Sequence, residues 1–125
     1  MNYRITGTGS CIPDITKKNS DFLKNKFLDT DGGKFQSSNS EIIDKFNSIT
    51  GICERRYAPD EINCSDLAAV AAGLAINDSK LDQETLDYII VAHNTGDISC
   101  ISGQVDTLPS VASKVIAKLK IKNPN

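Results

Sequence analysis

The run Leu86-Asp87-Tyr88-Ile89-Ile90-Val91-Ala92 constrains this chain more than any other feature. It is rich in β-branched residues and does not alternate with polar ones, the pattern of a strand covered on both faces. Such a strand needs hydrogen-bonding neighbours on both edges. Only one other stretch is a convincing strand, Tyr3-Arg4-Ile5-Thr6-Gly7-Thr8, which ends in Gly7-Thr8-Gly9-Ser10 before the break at Pro13. Two strands cannot close a buried sheet, so the chain reads as part of an α/β domain. Its 125 residues leave room for one domain at most.

Helices are easier to place. A short one is expected from Asn19 or Ser20, with Phe22, Leu23 and Phe27 at helical spacing. Residues 29–40 are polar and glycine-punctuated, a surface loop or a β-turn around Gly32-Gly33. Ser38 and Glu41 then have capping-box spacing, Ile42, Ile43, Phe46 and Ile49 form an apolar stripe, and Thr50-Gly51 ends the helix. The clearest helix spans about Ser65 to Asn77, with Ser65 as N-cap and Leu67, Val70 and Leu74 on one face. Its many alanines, with Gly73, permit close approach on more than one side. After the strand at 86–92 comes a loop of about fifteen residues from His93 to Thr107, a length usually tied to function. A last helix is expected to start at Pro109 and to pack through Val111, Val115, Ile116 and Leu119.

Charge and cysteine usage exclude several classes. A formal charge of -2 with scattered Lys and Arg leaves no basic face for nucleic acid. No run approaches membrane-spanning length and the first residues lack the apolar core of a secretory signal, so a cytoplasmic location is expected. Cys11, Cys53, Cys64 and Cys100 include no CxxC pair, and the one histidine, His93, has no cysteine nearby. Reduced thiols are expected, with no metal and no cofactor.

Few residues carry chemistry. Gly7-Thr8-Gly9-Ser10 begins like a dinucleotide fingerprint but has Ile12 in place of the third glycine, and Pro13 interrupts the helix that should follow. Cys64, before the alanine-rich helix, is the best local nucleophile candidate, and Cys53 lies beside Glu54-Arg55-Arg56. Neither sits in the small-residue strand-to-helix turn that usually presents such a thiol, so both read as structural. His93 to Asp97 form a polar cluster at the end of a strand, where α/β sheets place ligand groups. No pair of carboxylates has a spacing that forces the two together.

Several segments, taken in order, resemble the thiolase-like condensing enzymes of the β-ketoacyl-ACP synthase III family. Ile5 to Pro13 resembles that family's opening strand and glycine–proline turn, and Thr50-Gly51-Ile52-Cys53-Glu54-Arg55-Arg56 its Thr-Gly-Ile-Arg-x-Arg segment. Ser65–Ala75 resembles its alanine-rich helix, Leu86–Thr95 its second strand and pocket-lining turn, and Leu108-Pro109-Ser110 with the helix to Lys122 the segment before the catalytic strand. The resemblance implies the N-terminal part of a thiolase-like α/β fold, an incomplete mixed sheet with flanking helices. It implies acyl transfer to a cysteine and decarboxylative condensation with malonyl-ACP, in an enzyme that is normally a homodimer. The partners implied are an acyl thioester, either acyl-CoA or acyl-ACP, and an acyl carrier protein. The family's nucleophilic cysteine follows the equivalent of Lys120-Ile121-Lys122, and its histidine and asparagine come later still. No catalytic residue is therefore expected within residues 1–125, and the chain alone is expected to be inactive. Asn94 and Thr95 match the turn lining the acyl site, and Leu108 matches an apolar residue projected across the dimer interface into the partner's pocket.

Departures from the family pattern point to a divergent member. The tryptophan and arginine that clasp the coenzyme A adenine fall near Lys45 and Ile49, which cannot stack or pair likewise, and Cys53 replaces the first arginine of the Thr-Gly-Ile-Arg segment. Residues 29–40 and the loop before Leu108 are longer. Another acyl thioester, for a specialised lipid or polyketide, fits these differences. A hydroxymethylglutaryl-CoA synthase or chalcone-type enzyme remains a rival, as does a self-contained α/β ligand-binding module using His93–Asp97. A partial sheet exposes apolar surface, so self-association is also expected.

Overall fold

The computed structural model describes residues 3–99 and 102–123. They form two compact units, one of residues 13–57 and one of the described residues before 13 and after 57.

The 13–57 unit closes on itself. Strand β1 (Ile15–Lys18) runs into the expected short helix, a 3₁₀ helix over Asn19–Lys24. The glycine-punctuated stretch turns at residues 29–33, where Asp29 N–H donates to the Gly33 carbonyl at 2.8 Å and Leu28 bridges Lys34. Helix α1 (Asn39–Thr50) starts as its capping box requires. Ser38 N–H donates to Glu41 Oε2 at 2.8 Å, Glu41 N–H returns to Ser38 Oγ at 3.3 Å, and Gly51 ends the helix at φ 65°. Ile42 and Ile43 are buried, and Phe46 meets Phe27 edge to face at 5.7 Å. Strand β2 (Glu54–Tyr57) then pairs antiparallel with β1, Ile15 opposite Tyr57 and Lys18 opposite Glu54. Asn19 secures the junction, donating from its backbone to the Cys53 carbonyl at 3.0 Å and from its side chain to that of Ile52 at 2.7 Å.

The other unit is built on α2 (Cys64–Ser79) and α3 (Val111–Leu119). Helix α2 begins two residues earlier than expected, capped at Asn63, whose N–H donates to Asp66 Oδ2 at 2.9 Å. Its buried face is not the Val70–Leu74 stripe, both of which stay about half exposed, but the small-residue face of Ser65 and Ala69. There Ala69, Val111 and Val115 make the core, with Ala68, Ala72, Val91 and Leu119 packed around it. Small residues on α2 do admit close neighbours on more than one side. Leu119 lies 3.5 Å from where a Gly73 Cβ would sit. Elsewhere the backbone of Gly7 and Gly9 lies on α2 so closely that a Cβ on Gly9 would be 2.5 Å from Ala75 N and one on Gly7 2.6 Å from Ser79 N. The glycine pair therefore serves a close backbone approach rather than only a turn. Pro109 follows a cis peptide bond and precedes the helix, so Ser110, not Pro109, opens α3, its hydroxyl accepting from Ser113 N–H at 3.2 Å.

One expectation fails plainly. The described residues contain only two small sheets, both two-stranded and antiparallel, and neither 3–8 nor 86–92 belongs to one. Ile89 and Val91 turn toward the helices, while Tyr88 and Ile90 are 87% and 92% exposed. Strand propensity needs an edge to pair with, and neither segment is part of a ladder among the described residues. The described residues thus mix helix and strand without forming the mixed sheet expected of them.

Candidate functional site

The expected fifteen-residue loop contains a small hairpin, β3 (Asp97–Ile98) against β4 (Val105–Asp106). The turn is fastened by Ser99 N–H to the Gln104 carbonyl at 2.9 Å and Gly103 N–H to the Ser99 carbonyl at 2.8 Å. Register places Asp97 directly opposite Asp106, a like-charged pair that on its own destabilises a ladder.

Lys114, on α3, resolves that repulsion. Its ammonium lies 3.1 Å from Asp97 Oδ2 and 2.7 Å from Asp106 Oδ2, and its side chain is only 13% exposed. The other Asp97 oxygen accepts from Ser65 N–H at 2.8 Å, at the first turn of α2, where the helix dipole favours a carboxylate. Asn63 Oδ1 accepts from Ile98 N–H at 3.2 Å. Burial pushes the Asp97 carboxyl up, but the Ser65 backbone and hydroxyl donors together with Lys114 outweigh it and hold it below the usual carboxylate range. The bond to Asp106, opposed by desolvation and reinforced by Asp97, raises Lys114.

The residues expected to line a pocket flank this hairpin. Asn94 and Thr95 form an exposed bend just before it, and Leu108, 82% exposed, lies two residues after Asp106. His93 is exposed, its ring beside Gly96. Asp97 leaves the polar cluster of 93–97 to become the buried anchor. Sequence reading missed Lys114 and Asp106. The available signal was a lysine between Val111 and Val115, on the stripe that packs α3.

Elsewhere the candidates remain apart. Cys64 is the first residue of α2 and packs against the Ala69 core, Cys11 is half-buried, and Cys53 is exposed with its thiol 3.5 Å from Asn47 Oδ1. All three are free thiols; Cys100 lies outside the described residues. No group of three metal-ligating side chains occurs among the described residues. Lys45 and Ile49 are both exposed on α1. Near them Phe22, Phe46, Thr50, Arg55 and Tyr57 line an open cleft of about 370 Å³. No helix among the described residues is long and apolar enough to cross a membrane.

No family model matches the chain. Curated proteins do. Beta-ketoacyl-[acyl-carrier-protein] synthase III 1 of Vibrio cholerae serotype O1 is 34% identical over 122 residues, 98% of this chain and 32% of that protein. The protein of the same name from Vibrio parahaemolyticus is 35% identical over the same share of each. Beta-ketoacyl-[acyl-carrier-protein] synthase III of Staphylococcus aureus is 40% identical over 98 residues, 78% of the chain and 27% of the protein. The chain spans about a third of the length of these relatives.

Proposed function

Since the chain belongs by sequence to the β-ketoacyl-[acyl-carrier-protein] synthase III family, we propose that it is the N-terminal part of a thiolase-like condensing enzyme. The parent protein would transfer an acyl group from a thioester to a cysteine and condense it, with decarboxylation, with malonyl-ACP. One observation carries the reading: 98% of this chain aligns to only 32% of a relative's length. Residues doing the chemistry would then lie in the other two-thirds. In the parent, which we take to be a cytoplasmic homodimer, Asn94, Thr95 and Leu108 would line the acyl pocket. An exposed bend and an exposed leucine on either side of a fastened hairpin suit contacts completed by other parts of the enzyme.

Mass spectrometry of intact protein tests this. The 125-residue chain and the protein encoded by its whole reading frame are each incubated with acyl-CoA or acyl-ACP, then with malonyl-ACP. We expect a stable acyl adduct and a β-ketoacyl product from the second and neither from the first. An adduct on Cys11, Cys53 or Cys64 of the short chain that proceeds to product would overturn the division of labour. Absence of both from the longer protein would overturn the activity.

A further inference from the structure

We propose that the Lys114 bridge between Asp97 and Asp106 is a positioning device that holds the two arms 94–97 and 105–108, and so sets which acyl groups the pocket accepts. The second half rests on the function proposed above; the first stands on geometry alone. Asp97 follows Thr95 by two residues and Asp106 precedes Leu108 by two, and one ammonium on α3 holds both carboxylates, at 3.1 and 2.7 Å. Both ends of the hairpin are therefore tied to one point on a helix that is itself anchored in the core through Val111 and Val115.

The anchoring is unequal. Asp97 is 7% exposed at its side chain and bound to Ser65 N–H as well, whereas Asp106 is 54% exposed. Two carboxylates facing one ammonium leave a net negative charge, which the first turn of α2 offsets on the Asp97 side only. The arm leading from Asp106 to Leu108 thus depends on Lys114 alone for its ionic tie to α3, while the arm leading to Asn94 and Thr95 keeps its ties to α2. Loss of Lys114 should free the Leu108 arm first. Leu108 is the bulky apolar group of the span, so acyl chain length is the property expected to change, rather than the chemistry of the thioester.

Two measurements separate the halves. Hydrogen exchange is followed on the 125-residue chain as wild type, Lys114→Met and Asp106→Asn. Peptides covering 104–108 should exchange about tenfold faster in Lys114→Met and to a smaller degree in Asp106→Asn, with peptides of α1 unchanged. No acceleration, or equal acceleration everywhere, would overturn the positioning device. In the full-length protein, the ratio of kcat/KM for short against long acyl thioesters should shift about fivefold in Lys114→Met, mainly through KM, and Lys114→Arg should restore it in part. An unchanged ratio in a variant whose 104–108 segment has loosened would sink the specificity role and leave the clamp purely structural. A wild-type protein without acyl transfer would instead remove the proposed function and the specificity role with it, while the exchange result still decides the clamp.

Discussion

Strands β1 and β2 read Ile-Thr-Lys-Lys and Glu-Arg-Arg-Tyr, polar and almost wholly exposed, and yet they pair over four residues. Segments 3–8 and 86–92 hold the chain's best strand residues and belong to neither sheet of the described residues. The contrast separates propensity from opportunity. β-Propensity reports how a side chain fits a pleated surface, but a ladder forms only where a second backbone edge is at hand. The 13–57 unit supplies both edges from within itself, brought together by Asn19 and the Gly51 turn. In the other unit the apolar segments lie on helices by one side only, leaving Tyr88 and Ile90 bare.

The largest effect expected from breaking this contrast falls on Gly9. Its backbone rests on α2, and the Cβ of Gly9→Ala would collide with the Ala71 carbonyl and with Ala75 N at 2.5 Å. Backbone of a helix cannot yield as a side-chain tip can. The cost should approach about 3 kcal/mol, the upper part of the overpacking range. It should appear as lost protection of α2 and of Thr8 N–H, which donates to Asp78 Oδ2 at 3.0 Å, with α1 unmoved. Equal loss in both units would show that they unfold as one and that the contrast is only descriptive.

A smaller effect is expected from the self-closing side. Ser38→Ala removes the hydroxyl that accepts from Glu41 N–H, and should cost about 1 kcal/mol. Exchange at the first turn of α1 should rise while α2 and α3 keep their protection. If β1–β2 pairing survives the change, as judged by slow amides on residues 54–57, the ladder is independent of the helix start. Joint loss would mean that α1 nucleates the whole 13–57 unit.

How far the sequence could be read follows the same line. Helix α1 was legible to the residue because Ser38, Glu41 and Gly51 encode its ends locally. Helix α3 was legible through its Val111 and Val115 stripe, except that Ser110 rather than Pro109 opens it. Strands β1 and β2 were invisible because a ribbon exposed on both faces has no hydrophobic period to detect. The sheet was overread, since an apolar run states a need for neighbours without stating whether they are present. At the candidate site, Asn94, Thr95 and Leu108 came from family resemblance and Asp97 from its place after a strand. Lys114 leaves a trace, a lysine beside the valines of α3, but its partner Asp106 is out of reach, because a salt bridge across eight residues depends on the register of a hairpin that has no hydrophobic period.

The smallest effect separates the two units by pH. On the acid side both should weaken. Glu41 is held below its ordinary 4.5 by the Ser38 backbone N–H and hydroxyl, and Asp66 is held below 3.8 by Lys118 and the Asn63 N–H. Asp97 is lowered as well. A carboxyl lowered by folding stabilises the fold above its unfolded value, and that contribution is lost as pH falls through the folded one. Lys114 runs the other way. Its raised value means that its contribution is complete below the ordinary 10.5 and disappears as pH rises through the higher folded value. Methyl NMR suits the alkaline limb, because carbon-bound protons do not exchange with water. The Ile98 methyls should shift at the alkaline end while those of Ile42 and Ile43 in α1 stay put, and Lys114→Met should abolish the step. A step that persists in that variant, or that Ile42 and Ile43 share, would deny Lys114 its hold on the hairpin and return residues 93–107 to the status of an ordinary loop.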